Sequence, residues 1–527
     1  MGEMNEQSVG RYIPIIEQGK PHEECGVFGI YLPPVMMAED SNLVVTLTFN
    51  GIYPNQHRGE ESAGVAIANG FSVSDVCKHL GLISSVYDRF KKEEDPAAFS
   101  GHIGLAHTRY STTGSSTRNN AGPFTASSEL GVIAVSHNGN LTNAKELAQR
   151  LSANGVIFRS TTDSEILADT IAYASGLTWV DKISEALSAC EGSFSLGLMT
   201  NTALYAARDS LGNRPLFWAE FNEKGRSIYA ISSETPAFRH LNGYELRQIQ
   251  EVLPGTIMKF DGSGITVTKF RQSESQAFCG LEHAYLSRAD GETRNGVQID
   301  MIRRMLGATL ARLYPPPQGI DMVTYIPESS RPAAEGFARE LSTMWVRSVR
   351  CETSLMKGRY PTLNGKSRGF MSPDMVDRKS VASNYYPMDW VKGKSLVVID
   401  DSIIRGNTTG GVIKIYREAG AKEIHLRIPW PPVNGFCPLG TDINKTDELI
   451  WVTSGENLEE MRKAIGVDSL AFLPPEIYQE TIDKSVGEHF GLCMGCTTGK
   501  YPVTLFEADK TVFERQSVKK SLNRTGL

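Results

Sequence analysis

The chain is expected to fold as two successive units, a mixed α and β domain followed by an α/β domain built on a parallel sheet. Three observations predict this. Its 527 residues exceed what one hydrophobic core organises, and the size prior gives about two to four domains. Residues 27–31, 132–135, 194–199 and 229–231 are short strand-like runs, interleaved with helical patterns at 144–152 and 164–173, which is a mixed arrangement. Beyond them, residues 322–326, 395–399, 423–428 and 449–452 are strand-like segments separated by helical stretches. Strands joined through helices lie parallel.

Along the chain, residues 1–24 are polar and aperiodic and read as a leader ahead of the first strand. Glu251-Val252-Leu253-Pro254-Gly255 punctuates the last hairpin of the first unit, and residues 272–276 form a polar connector. The tail from 514 to 527 is polar and basic and is expected to be loosely ordered. Composition narrows the function. With 54 Lys plus Arg against 60 Asp plus Glu the formal charge is −6, and no basic stripe marks a nucleic-acid surface. The first residues lack a secretory pattern and no stretch of about 18 apolar residues occurs. The expectation is a cytoplasmic protein with no membrane and no nucleic-acid partner. Eight cysteines, at 25, 77, 190, 279, 351, 437, 493 and 496, lack a compact framework and read as thiols or metal ligands rather than disulfides.

The most informative stretch runs from Leu396 to Gly410. Four apolar residues, Leu396-Val397-Val398-Ile399, read as a buried strand, and residues 408–418, with Val412, Ile413, Ile415 and Tyr416, as the following helix. The loop between them lies at a helix N-terminus, where free N–H groups and the helix dipole favour a phosphate. Gly406 allows close backbone approach, and Ser402, Arg405, Asn407, Thr408 and Thr409 surround it. Asp400 and Asp401, at the strand's carboxyl end, suit ribose hydroxyls or a hydrated Mg²⁺.

This run resembles the phosphoribosylpyrophosphate (PRPP) motif of type I phosphoribosyltransferases, in the version Asp-Asp-Ser-Ile-Ile-Arg-Gly of the amidophosphoribosyltransferase family. Segments near the start extend the resemblance to class II glutamine amidotransferases: Glu23-Glu24-Cys25-Gly26-Val27-Phe28-Gly29, Gln56-His57-Arg58-Gly59-Glu60-Glu61, His107-Thr108-Arg109-Tyr110-Ser111-Thr112, Ser136-His137-Asn138-Gly139-Asn140, and Thr162-Asp163-Ser164-Glu165. The resemblance implies an N-terminal nucleophile (Ntn) hydrolase αββα sandwich over 25–265, preceded by a propeptide 1–24. A type I phosphoribosyltransferase domain over 275–505 and a tail 506–527 would follow. Cys25, once N-terminal, would supply both a thiolate nucleophile and the α-amine that deprotonates it. Arg109 would grip the glutamine α-carboxylate and Asp163 its α-ammonium, with Thr112 beside them. Asn138 and the backbone of Gly139 would form the oxyanion hole.

In the second half the implied PRPP site comprises Asp400, Asp401, Ser402, Arg405, Gly406, Asn407, Thr408 and Thr409, with Ser329, Lys357 and Arg359 from two further loops. Asp400 and Asp401 would hold Mg²⁺. Three loops depart from the family pattern. Pro327-Glu328-Ser329-Ser330-Arg331-Pro332 stands for Pro-Asp-Ser-Gly-Arg-Pro, Lys357-Gly358-Arg359-Tyr360 for Lys-Asn-Arg-Tyr, and Asn407 for threonine. Ser330 in place of glycine is expected to strain the loop. Cys493-Met494-Gly495-Cys496 alone suits zinc, a redox pair or a cluster. In the iron–sulfur branch of the family, which the sequence is identified with, Cys279 and Cys437 complete a four-thiolate [4Fe–4S] set. Cys77, Cys190 and Cys351 are read as core thiols. The implied activity converts PRPP and glutamine to 5-phosphoribosylamine, glutamate and pyrophosphate, the first step of de novo purine biosynthesis, in a homo-oligomer. The alternatives are a paralogue with altered or lost donor use acting as a glutaminase, and a nucleotide-sensing regulator.

Overall fold

The computed structural model describes residues 25–110, 117–272, 275–357 and 385–505. Residues 1–24, Thr112, Arg359, the tail 506–527 and the side chain of Lys357 lie outside that description. The first half contains β1 (Gly26–Tyr31), β2 (Ser62–Ala68), β3 (Cys77–Leu80), β4 (Ile103–Arg109), β5 (Phe124–Ser128), β6 (Gly131–Leu141), β7 (Gly192–Met199), β8 (Leu204–Arg208), β9 (Phe217–Glu223), β10 (Arg226–Ser232), β11 (Glu245–Glu251), β12 (Thr256–Asp261) and β13 (Gly264–Lys269). They form two antiparallel sheets, ordered β11-β9-β10-β1-β4-β2-β3 and β13-β12-β8-β7-β6-β5.

Alternation along the strands builds the layers. Val65 and Ile67 of β2 point outward beneath the helices Leu43–Ile52 and Ile83–Glu93, with Val44, Val86 and Phe90. Ala66 and Ala68 point inward and meet Ala134, Met199, Leu204 and Ala206 of the second sheet. That sheet's outer face packs Ile133, Val135, Leu196 and Leu198 against the helices Ala144–Ala153, Asp163–Tyr173 and Trp179–Ala189. The result is the four-layer αββα sandwich. Two expectations need correction. Glu251–Gly255 does not lie within a hairpin: it carries the chain from β11 in one sheet to β12 in the other, and the hairpin β12–β13 follows. Because β13 runs to Lys269, this unit also extends past residue 265.

The second half contains β14 (Phe278–Cys279), β15 (Met322–Tyr325), β16 (Leu355–Lys357), β17 (Tyr385–Pro387), β18 (Ser395–Ile399), β19 (Glu423–Ile428), β20 (Ser469–Phe472) and β21 (Leu492–Cys493). The main sheet is parallel, ordered β15-β18-β19-β20, and flanked by helices that include Ile299–Leu313, Arg331–Met344, Asn407–Glu418 and Pro475–Val486. Its inner strand β18 is buried throughout, as the apolar run Leu396–Ile399 requires. The expected strand at 449–452 is instead a short helix, Ile450–Thr453, and the fourth strand is β20. A four-residue apolar run does not distinguish the two states, and here packing decides: Ile450 closes over the PRPP-like loop. Among the described residues no helix is long and apolar enough to cross a membrane.

Candidate active sites

The first site forms where the inner strands β1, β4 and β6 end together. Cys25 immediately precedes β1, and its Sγ lies 3.9 Å from the carbonyl oxygen of Tyr110. Arg109, the last residue of β4, is 4% exposed. Burial lowers the pKa of its guanidinium, while the charges of Cys25, Glu61 and Asp163 raise it, so Arg109 faces all three. Asp163 opens the helix Asp163–Tyr173, and its Oδ2 accepts the backbone N–H of Leu141 at 3.0 Å. A cation thus lies within electrostatic reach of the thiol and of a carboxylate.

Asn138 lies on β6 opposite Ser195 and is completely buried, with neither Nδ2 nor Oδ1 hydrogen-bonded. Buried amides are rarely left so, and a vacant donor beside a nucleophile is what an oxyanion site requires. The next residue must be glycine. Gly139 has φ +145°, and a Cβ there would come within 2.2 Å of the Ser193 carbonyl oxygen.

The second site lies at the carboxyl end of β18. Asp400 and Asp401 are buried and collect hydroxyl donors: Thr409 Oγ1 bonds Asp400 at 2.8 Å, Ser402 Oγ bonds Asp401 at 2.9 Å, and Ser329 Oγ bonds Asp401 at 2.5 Å. Ser330 Oγ reaches both carboxylates at 3.2 Å. The strain expected at Ser330 is absent, since its φ is −82°, in the ordinary right-handed region. Gly406 has φ +77° and caps the helix Asn407–Glu418, so the loop does present that helix's N-terminus, with Asn407 and Thr408 opening its first turn. A Cβ at Gly406 would come within 2.4 Å of Ile450 Cδ1, so packing as well as backbone angle demands glycine. Arg405 is directed elsewhere than the carboxylates, to Glu448 at 3.0 Å and the Asp442 carbonyl at 3.4 Å. Lys357 contributes the end of β16, paired with Tyr385.

Four of the five second-half cysteines, Cys279, Cys437, Cys493 and Cys496, converge. Cys279 and Cys493 are register partners in the β14–β21 pair, and Cys496 lies three residues beyond. Burial pushes the Cys496 thiol well above its usual range, and Cys437, Cys279 and Cys493 push it further. Burial likewise takes Cys493 up to about 11. Among the described residues, the one set of three or more ligand atoms within 4.8 Å of each other is Cys77, His79 and Glu94, so no three of these four sulfurs approach that closely. None of the eight cysteines is in a disulfide.

The two sites are joined by contacts that sequence reasoning missed. The segment after Cys437 presents carbonyls to the glutaminase-like half: Pro438 accepts from Asn140 Nδ2 at 2.9 Å, and Leu439 from Ser193 Oγ and Arg214 Nη2, both at 2.7 Å. Beneath it lies a buried charge network. Arg58 donates to Glu234 and to Glu282, each at 2.7 Å, His57 Nε2 lies 2.8 Å from Glu234, and Arg214 stands 3.7 Å from Glu282. Burial alone would raise both carboxyl pKa values. His57 and Arg58 instead hold Glu234 well below the carboxylate range, and Arg58 and Arg214 lower Glu282. The one sequence signal was the run Gln56-His57-Arg58, whose partners lie up to 224 residues away.

Comparison with known proteins places these features in context. Residues 107–240 match the glutamine amidotransferase domain family. The chain is 35% identical over 495 residues to the amidophosphoribosyltransferase of Synechococcus elongatus, covering 93% of this chain and 94% of that protein. It is 32% identical over 490 residues to the Bacillus subtilis amidophosphoribosyltransferase, covering 92% and 95%. The solved B. subtilis glutamine PRPP amidotransferase, complexed with ADP and GMP, superposes with a TM-score of 0.77 at 31% identity, over 92% of this chain and 98% of that one. A second structure, described as the allosteric regulatory enzyme of purine biosynthesis, gives 0.78 at 32% identity, over 92% and 97%.

Proposed function

The chain belongs to the amidophosphoribosyltransferase family, and from that premise we propose how its own residues divide the reaction. The function is glutamine-dependent conversion of PRPP to 5-phosphoribosylamine in purine biosynthesis, with glutamate and pyrophosphate as the other products. Residues 25–270 form the glutaminase unit and 275–505 the phosphoribosyl unit. Removal of 1–24 exposes the Cys25 α-amine, which takes the thiol proton. The thiolate attacks the glutamine side-chain amide, and Asn138 with the Gly139 N–H holds the developing oxyanion. Arg109 and Asp163 bind the α-carboxylate and α-ammonium, with Thr112 beside them. Collapse, with the Cys25 α-ammonium returning its proton to the leaving nitrogen, releases ammonia and leaves a thioester, which water, giving its proton to the same amine, converts to glutamate. The buried, unpartnered Asn138 amide carries this reading.

Ammonia then attacks C1 of PRPP and displaces pyrophosphate. Asp400 and Asp401 suit the ribose hydroxyls and Mg²⁺, which when bound neutralises the leaving pyrophosphate. The hydroxyls of Ser329, Ser402 and Thr409 keep those carboxylates aimed. Gly406, Asn407 and Thr408 offer the helix N-terminus to the 5-phosphate, and Lys357 and Arg359 add cations at the pyrophosphate. Arg405, engaged by Glu448 and Asp442, serves instead as a link toward Tyr110, whose phenol faces Asp442 and Arg405. The wide spacing of Cys279, Cys437, Cys493 and Cys496 suits a [4Fe–4S] cluster better than zinc, whose Zn–S bonds of about 2.3 Å place sulfurs about 3.8 Å apart. Its role is to pin β14, β21 and the Cys437 segment. Homo-oligomeric assembly and a cytoplasmic location belong to the same proposal.

Pyrophosphate release from PRPP, with glutamine and separately with ammonium, tests the assignment. Mg²⁺-dependent release with both nitrogen donors is expected. Glutamine hydrolysis without release from either donor would reduce the chain to a glutaminase.

A further inference from the structure

Outside both active sites, β3 and the end of the helix Ile83–Glu93 bring together a thiol, an imidazole and a carboxylate. Cys77 and His79 alternate on one face of β3, the edge strand of the seven-stranded sheet, and are 1% and 6% exposed. Glu94 caps the helix that crosses over them. One ligand atom from each residue lies within 4.8 Å of the other two. A thiol-to-carboxylate hydrogen bond would satisfy Cys77 and Glu94 only, because His79 Nε2 is buried and has no hydrogen-bond partner. A divalent cation satisfies all three.

We propose that Cys77, His79 and Glu94 form a structural zinc site that ties the edge strand β3 to the end of the helix Ile83–Glu93. One sulfur, one nitrogen and one oxygen donor are a borderline set that suits Zn²⁺ rather than Mg²⁺ or Ca²⁺. A water supplies the fourth position. Cys77 enters as a thiolate, so binding releases one proton to solvent. Val65, Ile83, Val86 and Phe90 pack in the same core as Cys77, which gives the ion a dry shell. The role is structural, since none of the three residues belongs to the reaction already described.

The test is zinc content and the zinc K-edge absorption spectrum of the full-length enzyme with its iron fully assembled, after exposure to Zn²⁺ and dialysis. About one zinc per chain with one sulfur and otherwise nitrogen and oxygen neighbours is expected. Glu94→Gln, at a half-buried position that preserves shape, is expected to weaken retention by at least about tenfold while glutamine hydrolysis stays at the wild-type rate. Cys77→Ser is expected to abolish retention. A four-sulfur shell would place the metal at Cys279, Cys437, Cys493 and Cys496 instead and overturn the proposal. So would absence of zinc from iron-complete, active enzyme, or undiminished zinc in folded Cys77→Ser.

Discussion

Replacing Asn138 with alanine separates the two half-reactions. The side chain is fully buried and makes no hydrogen bond, so truncation removes no existing partner. An unpaired buried amide costs about 1–3 kcal/mol, and deleting it offsets much of the penalty for the small cavity left behind. Stability should therefore change by no more than about 1 kcal/mol. Catalysis should suffer far more. Loss of one preorganised donor costs about 2.7–4 kcal/mol of barrier, or about 10²–10³ in kcat, with the Gly139 N–H remaining. In the proposed function the substrate's α-groups fall to Arg109 and Asp163 instead, so KM for glutamine should stay within about threefold. The assay is paired: glutamate release from glutamine, and pyrophosphate release from PRPP with ammonium. The first should fall by that factor and the second should hold. A fall of less than about tenfold, or equal loss of both rates, would refute the oxyanion role.

Three further predictions concern the second site, the domain junction and acid stability. Gly406→Ala meets both a left-handed φ of +77° and Ile450 Cδ1 at 2.4 Å. PRPP kcat/KM should fall at least about tenfold with glutamine hydrolysis retained, as read by pyrophosphate and glutamate assays. Glu282→Gln removes the fully buried carboxylate that Arg58 meets at 2.7 Å and Arg214 at 3.7 Å. Destabilisation of about 3–5 kcal/mol is expected in urea unfolding, against a much smaller loss for the exposed Lys484→Gln. His107 is buried, and desolvation pushes its pKa from 6.5 down to about 3. Between those values the unfolded chain binds the extra proton, so this contribution to stability is full above pH 6.5 and is lost as pH falls toward 3. From pH 7.5 to 5 the loss is about 2 kcal/mol, and His107→Gln should remove about that much of the enzyme's acid sensitivity in parallel unfolding titrations.

Much of the second site was legible because its signals are local. The apolar run Leu396–Ile399, two aspartates, a glycine and a helical period all lie within about two dozen residues, and β18 and the helix Asn407–Glu418 follow them closely. The first half's strands and helices were legible for the same reason, with β6 and β10 longer than their apolar cores suggested. Local signals failed where two structures were compatible with one pattern. The segment Ile450–Thr453 is helical, with Ile450 packed over Gly406, and Glu251–Gly255 crosses between sheets because β11 and β12 find different partners. Ser330 sits without strain, since the loop's path places its φ at −82° and its hydroxyl between two carboxylates.

By itself the sequence determined the order of the motifs, the period of each element and the chemistry each segment can offer, because these depend on neighbours along the chain. Tertiary structure alone decided which distant groups meet. Arg58 finds Glu282, the Cys437 segment hands its carbonyls to Asn140 and Ser193, and Glu94 arrives over Cys77 and His79. Each of these contacts depends on how sheets and helices stack as layers. That stacking is settled by the combined burial of many apolar side chains, which no short window of sequence contains.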